Sequence, residues 1–302
     1  MEGFILSNKG ELAALLTAVC WTFTSLAFES AGKRVGSLAV NLIRLVLAFF
    51  FLGTFTYFSQ GQFFPTGADS HAWLWLSISG LIGFVIGDLL LFQAFVVIGA
   101  RVSMLIMSLS PPMTALFGWL ILREQLSIAA AIGMMVTIWG IALVILARPQ
   151  KGKKMQFHYP LKGILLAFGG AAGQGLGLVL SKLGMRTMDP FVATQIRVIT
   201  GIVGFAILFT VTRNWDKIII AIKNRQAMLR IGTGAFFGPF LGVSLSLLAI
   251  KYTTTGIAST LNSLTPVLII PFAWFFLKER VTLKEIIGAV VAVIGVSIFF
   301  IY

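Results

Sequence analysis

Runs of about twenty apolar residues, the length that lets a helix cross a bilayer, recur ten times along this chain with short polar links between them. Their limits fall near 10–29, 38–58, 72–97, 101–122, 128–147, 161–183, 190–212, 228–250, 256–277 and 283–301. Only 11% of the 302 residues are charged, whereas a soluble chain carries about a quarter. The chain has too little charge to cover a soluble surface, so an all-α integral membrane protein with ten transmembrane helices is expected. Its first partner is the lipid bilayer. The links are short enough to make successive helices antiparallel neighbours. The longer segment "TRNWDKIIIAIKNRQAM" holds an isoleucine cluster and predicts a helix lying on the surface. The first run, Leu12 to Phe28, is long for a signal-peptide core and lacks a small-residue cleavage site, so it is expected to be retained.

The net charge of +13 does not point to nucleic acid. The basic residues sit in links between apolar runs, without the basic face or interleaved aromatics of a nucleic-acid footprint. Cys20 is the single cysteine, which excludes an intrachain disulfide. His71 and His158 fall in links, and no cluster has metal-ligand spacing. No Gly-x(4)-Gly-Lys-[Ser/Thr] loop is present, so neither direct nucleotide use nor a cofactor is expected.

The sequence also repeats itself. "SLSPPMTALFGWLILREQLS" (108–127) returns as "SLTPVLIIPFAWFFLKERVT" (263–282). A shift of 155 aligns Gly83 with Gly238, Gly87 with Gly242, Pro111 with Pro266, Trp119 with Trp274 and Glu124 with Glu279. A shift of 153 aligns Gly10 with Gly163 and Arg44 with Arg197. Two halves, 1–150 and 151–302, each of five helices, are therefore expected. An odd helix number makes consecutive copies enter the membrane from opposite sides, giving two inverted repeats. The links after helices 1, 3, 5, 7 and 9 carry most of the Lys and Arg, among them Lys33, Arg34, Arg148, Lys153, Lys217 and Arg225. By the positive-inside rule, both termini face outside.

The ordered set resembles the drug/metabolite transporter superfamily, specifically its EamA-type members. The resemblance rests on the five-plus-five duplication and the [Ser/Thr]-Pro-x(11)-[Arg/Lys]-Glu ending of helices 4 and 9. It also rests on "CWTFTSLAFES", "NLIRLVLAFF", "IGDLLLFQAFVVIGARVSMLIMSLSPP" and "IGMMVTIWGIALVIL". It covers about the whole chain. This chain has Glu29 where many members end helix 1 on lysine, and the repeat counterpart of Glu29 is Lys182. The resemblance implies secondary transport of small metabolites, often as export.

Asp88 is the sharpest candidate site residue. A carboxylate deep in an apolar span costs about 2.5–3.5 kcal/mol on insertion scales, so it needs a partner or a wet cavity. It is read as a proton-coupling or substrate-amine group; the bland alternative is a carboxyl that only holds helices together. Its repeat counterpart is Val243, so the acid belongs to one half. Trp21, Thr24, Gln93, Met107, Ser108, Gln174, Asn262 and Ser263 are expected to line a cavity for a small amphipathic solute, with adaptable apolar surface and a few hydrogen-bonding groups. Each taken alone is more ordinarily an interhelical contact. Arg44 and Arg197 read as structural, interfacial anchors that snorkel and pair with Glu29 or Asp189; the alternative is an anion site. Pro111 and Pro266 are the expected hinges. Glycine rows at 83 and 87, at 169, 173 and 177, and at 234, 238 and 242 predict close helix contacts.

Glu124 and Glu279 end their helices, where negative charge is disfavoured. They are expected to be structural, accepting from the N–H groups of the next helix. "TLKE" (282–285) reads as a capping box. If the repeats are inverted, the two glutamates lie at opposite faces and cannot form a catalytic pair. The function expected is a secondary transporter exporting amino acids or similar compounds by alternating access, with the proton as candidate coupling ion. It would sit in the bacterial cytoplasmic membrane as a monomer or weak dimer. The alternative is an exchanger of anionic metabolites such as sugar phosphates. A membrane-embedded enzyme lacks a nucleophile–base pair or metal cluster here and is set aside.

Overall fold

A computed structural model of the protein describes residues 8–98, 103, 106–147, 160–265, 267–268 and 282–301. All regular structure among them is helical. Helix α1 spans Lys9–Val35 and α2 spans Ser37–Gln60. Helix α3 covers 70–98 in three parts: Ser70–Gly80, a π-helical stretch Leu81–Gly87, and Asp88–Ile98. Helix α4 joins Ser110–Phe117 to a π-helical end at Gly118–Leu122. Then come α5 (Ile128–Ala147), α6 (Leu161–Met185), α7 (Pro190–Thr212) and the short α8 (Asp216–Lys223). Helix α9 runs Arg225–Tyr252 with a π-helical stretch at Phe236–Gly242. Helices α10 (Thr255–Asn262) and α11 (Leu283–Ile301) follow.

Among the described residues, five helices are long and apolar enough to cross a membrane: Ser37–Gln60, Ser70–Leu91, Leu161–Met185, Pro190–Thr212 and Arg225–Tyr252. Ser110–Leu122 and Ile128–Val144 are shorter apolar helices. Large apolar side chains such as Phe58, Ile128, Val211 and Leu283 lie on the outside, a surface that suits lipid rather than water.

Helix starts follow local chemistry. Asp69 accepts from Ala72 N–H at 2.8 Å, Asn224 from Ala227 N–H at 3.0 Å, and Asp189 from Phe191 N–H at 2.9 Å. Pro190 opens α7, where its missing N–H costs nothing. Gly36, at φ +83°, supplies the turn between α1 and α2 in a region that side chains disfavour.

Between membrane helices small residues set the spacing, because lipid removes the hydrophobic drive for association. Helices α3 and α6 meet glycine to glycine. A Cβ on Gly177 would lie 3.1 Å from Gly83 Cα, and one on Gly173 would lie 3.0 Å from Gly87 Cα. Ser79 Oγ and Ser181 Oγ bond across the same seam at 2.7 Å. Helices α5 and α11 are closer still: a Cβ on Gly140 would lie 2.8 Å from Ala292 Cα. Gly234 and Gly238 of α9 pack instead on Phe28 and Thr24 of α1. Two of the three predicted glycine rows thus touch each other, and the third receives side chains.

Expected span 4 departs from a single bent helix. Ser108 and Leu109 form a turn, with Leu109 N–H bonded to Ile106 O at 3.0 Å, and a new helix starts at Ser110. Pro111 therefore occupies a first helical turn rather than a kinked interior, since there its ring displaces no hydrogen bond. The related Ser263 and Leu264 also form a turn after α10. Pro266 and Glu279 lie outside the described residues. The predicted surface helix is α8, with Ile219, Ile220 and Ile222 exposed and Ala221 buried. The capping box of α11 forms: Thr282 N–H donates to Glu285 Oε2 at 2.7 Å, and Glu285 N–H to Thr282 Oγ1 at 3.3 Å.

Candidate functional site

Asp88 follows directly on the first π-helical stretch, which adds a residue per turn and re-aims the side chains beyond it. An equivalent stretch, 236–242, stands at the shift of 155 in the second half. Such π stretches concentrate at functional sites. Only the glycine pairs hinted at them in the sequence.

The Asp88 carboxylate is buried and both of its oxygens are engaged. Oδ2 forms an ion pair with Arg44 Nη2 of α2. Oδ1 accepts from Gln174 Nε2 of α6 at 2.8 Å. Gln174 Nε2 also lies 3.3 Å from Gly83 O, and this tie fixes its amide orientation. Arg197 of α7 completes the cluster. Its guanidinium carbon lies 4.7 Å from the Phe84 ring centroid, and Asp88 lies within its electrostatic reach. A Cβ on Gly83 would come within 3.2 Å of Arg197 Nη2. Arg44 and Arg197 are each only 5% exposed.

These positions correct the reading of the two arginines as snorkelling anchors. A snorkelling head reaches water, and these do not. Asp189, offered as a partner, spends its Oδ1 capping α7, and the side chain of Glu29, the other partner offered, lies outside the described residues. Arg44 takes Asp88 because the re-aimed α3 brings the acid to α2. The cluster draws Arg44 and Asp88 from residues 1–150, and Gln174 and Arg197 from residues 151–302. Among the described residues it holds two guanidinium groups against one carboxylate. The Nε atoms of both arginines are buried without a hydrogen-bond partner.

Other expected lining residues are distributed differently. Trp21, the repeat counterpart of Gln174, is half-buried beside Gly242. Thr24 is buried and bonds back to Cys20 O at 2.9 Å, a packing role within α1. Gln93 is exposed and stands apart from the cluster. It lies five residues beyond Asp88, a rotation of about 140° around a helix. Ser108 is buried and Met107 half-buried at the break before α4. Asn262 Nδ2 donates to Ser246 Oγ of α9 at 2.8 Å, and Ser263 Oγ to Ser259 O at 2.9 Å. Thr114 Oγ1 reaches Ser259 Oγ at 3.1 Å. The Thr114–Ser259 bond joins the two halves, whereas Asn262–Ser246 lies within the second; neither Thr114 nor Ser246 was anticipated.

Glu124 is tied to the other half. Oε2 accepts from Thr255 N–H at 2.8 Å and from Thr255 Oγ1 at 2.6 Å, and Oε1 meets Lys182 Nζ at 2.6 Å. It does take helix-start N–H, as expected, but from α10 rather than the following α5. The start of α5 is served by Ser127, whose Oγ accepts from Ala130 N–H at 3.1 Å. A cavity of about 150 Å³ lies between the end of α2, the 61–68 link and the start of α7, walled by Gln60, Gln62, Asp189 and Gln195 together with Phe64 and Met188. Among the described residues, no group of three or more His, Cys, Asp or Glu side chains could hold a metal ion.

The sequence model of the EamA-like transporter family matches this chain twice, over residues 8–146 and 161–301. An uncharacterized transporter of Archaeoglobus fulgidus is 26% identical over 291 residues, 94% of this chain and 95% of its own. Solute carrier family 35 member G1 of Homo sapiens is 25% identical over 150 residues, 47% of this chain and 40% of its own. A crystal structure covering 97% of this chain, and 96% of its own, superposes with a TM-score of 0.74 at 17% identity, a likeness of fold.

Proposed function

The chain belongs to the EamA-like transporter family, and from that membership we propose that it is a secondary transporter of small metabolites working by alternating access. In this reading ten spans form two inverted five-helix halves, and the solute passes between them. The double family match, the paired π-helical stretches and the paired breaks at Ser108–Leu109 and Ser263–Leu264 all support it. Gly10 packs against Thr253, so the start of span 1 and the link between spans 8 and 9 lie together. Ten alternating crossings require that arrangement. The bacterial cytoplasmic membrane is the proposed setting, with a monomer or weak dimer as the working form.

The observation that carries the reading is the buried cluster of Arg44, Asp88, Gln174 and Arg197. Ionisable groups inside a membrane bundle mark solute or proton paths by default. This cluster joins four helices and both halves, so rocking of one half on the other must strain or break it. Asp88 is the proposed coupling group: a proton on Oδ2 would weaken the Arg44 pair and loosen the α2–α3 contact. Counterflow in proteoliposomes tests the proposal. Preloading the lumen with a panel of unlabelled metabolites should accelerate uptake of a labelled one. Uptake unchanged by preloading across the panel would describe a channel and reject alternating access.

A further inference from the structure

We infer that the transported solute carries a carboxylate or phosphate, and that Arg197 is the residue that binds it. The inference rests on the transport reading above and adds the charge of the cargo. Among the described residues, the cluster holds two guanidinium groups and a single carboxylate. Asp88 is already committed, with one oxygen to Arg44 and the other to Gln174. Arg197 is left with the face of Phe84 and a shared, more distant attraction to Asp88. Its Nε is buried without a hydrogen-bond partner.

Guanidinium presents five N–H donors in a planar fork and cannot shed its charge in a protein. Buried and unmatched at membrane depth, it calls for an acceptor. Carboxylate and phosphate fit that fork with two parallel bonds. Gly83 leaves room beside Nη2, where any side chain would intrude. The amide of Gln174 lies on the same glycine, against its carbonyl. Asn41 adds to the pattern. It is 1% exposed, sits one turn before Arg44 on the same helix, and neither polar atom of its side chain has a partner. An ammonium solute would meet the opposite situation, with two cations nearby and both oxygens of Asp88 taken.

The cargo's charge can be read directly on the intact protein. Purified transporter in neutral detergent is heated with inorganic phosphate, succinate, glutamate, putrescine or glucose, and the same set is used as trans-solutes in counterflow. At least one anion should raise the melting temperature in a saturable way and accelerate exchange. Arg197→Gln should lose at least tenfold in apparent affinity. Arg197→Lys keeps the charge but loses the fork, and should fall between. Stabilisation and exchange confined to putrescine or glucose, and unaffected by Arg197→Gln, overturns the anion assignment while leaving transport standing. Saturable stabilisation by an anion without exchange of any compound supports the anion site and rejects transport. Phosphatidylglycerol is the control for a lipid headgroup: stabilisation by it and by none of the soluble anions overturns the solute assignment.

Discussion

Lys182 Nζ stands 2.6 Å from Glu124 Oε1, and the same carboxylate takes the first N–H of α10 on its other oxygen. One side chain thus ties α4 of the first half to α6 and α10 of the second. Lys182 Nζ also donates to Thr253 O at 2.7 Å, so the lysine belongs to the same knot. The repeat-related residues of the pair are Glu29 and Glu279, two acids. The knot therefore has no counterpart of matching charge.

Glu124→Gln should keep an acceptor for Thr255 and lose the ion pair, whereas Glu124→Ala loses both. Hydrogen bonds to a charged group contribute about 1.5–3 kcal/mol each, and a partly exposed pair about 1 kcal/mol or less. Thermal unfolding in detergent should rank wild type above Gln and Gln clearly above Ala. Equal melting temperatures for the two variants would mean that the N–H contacts contribute nothing.

Asp88→Asn retains the shape and the Gln174 contact but removes the counter-charge that Asp88 gives Arg44 and Arg197. Transport should be lost while the protein still elutes as a single folded species on size exclusion. Full transport by this variant would remove Asp88 from the mechanism.

Removing one partner of a buried pair costs about 3–5 kcal/mol, because the other charge stays behind. Arg44→Gln and Asp88→Asn should each destabilise, and the double variant should fall well short of their sum. A coupling of at least about 1 kcal/mol is expected for residues in contact. Additive losses in the denaturation cycle would argue against a direct pair.

Gly140→Leu should abolish folded expression, because a Cβ there would come within 2.8 Å of Ala292 Cα. Gly232→Leu should be tolerated, since nothing lies within 4 Å of its Cβ position. Fluorescence-detected chromatography of tagged variants separates the two, and similar yields would contradict the packing described for α5 and α11.

Much of the scaffold was legible because membrane helices announce themselves by length, and the repeat by spacing. Asp88 stood out as an acid within an apolar run, and Gln174 as a polar group on a glycine-rich helix. Their bond was not legible, because it depends on the re-aiming of α3 at 81–87. The arginines were misplaced for a related reason: distance from a span's end does not tell which neighbours cover a side chain. That Gln93 stands apart from Asp88 could have been read from the angle between them alone. Glu124 followed a sound local rule, but the start of α10 lay nearer than the helix next in sequence.

The π-helical stretch at Leu81–Gly87 has an angular consequence. Each residue in an α-helix turns the chain by about 100°. Deleting one residue within 81–87 would let the backbone return to ordinary α-helical winding and would swing Asp88 by roughly that angle relative to the residues before it. The carboxylate would leave both Arg44 and Gln174 with no change in composition around it. The site is thus set by a count of backbone atoms, and a chain one residue shorter would carry the same side chains out of phase.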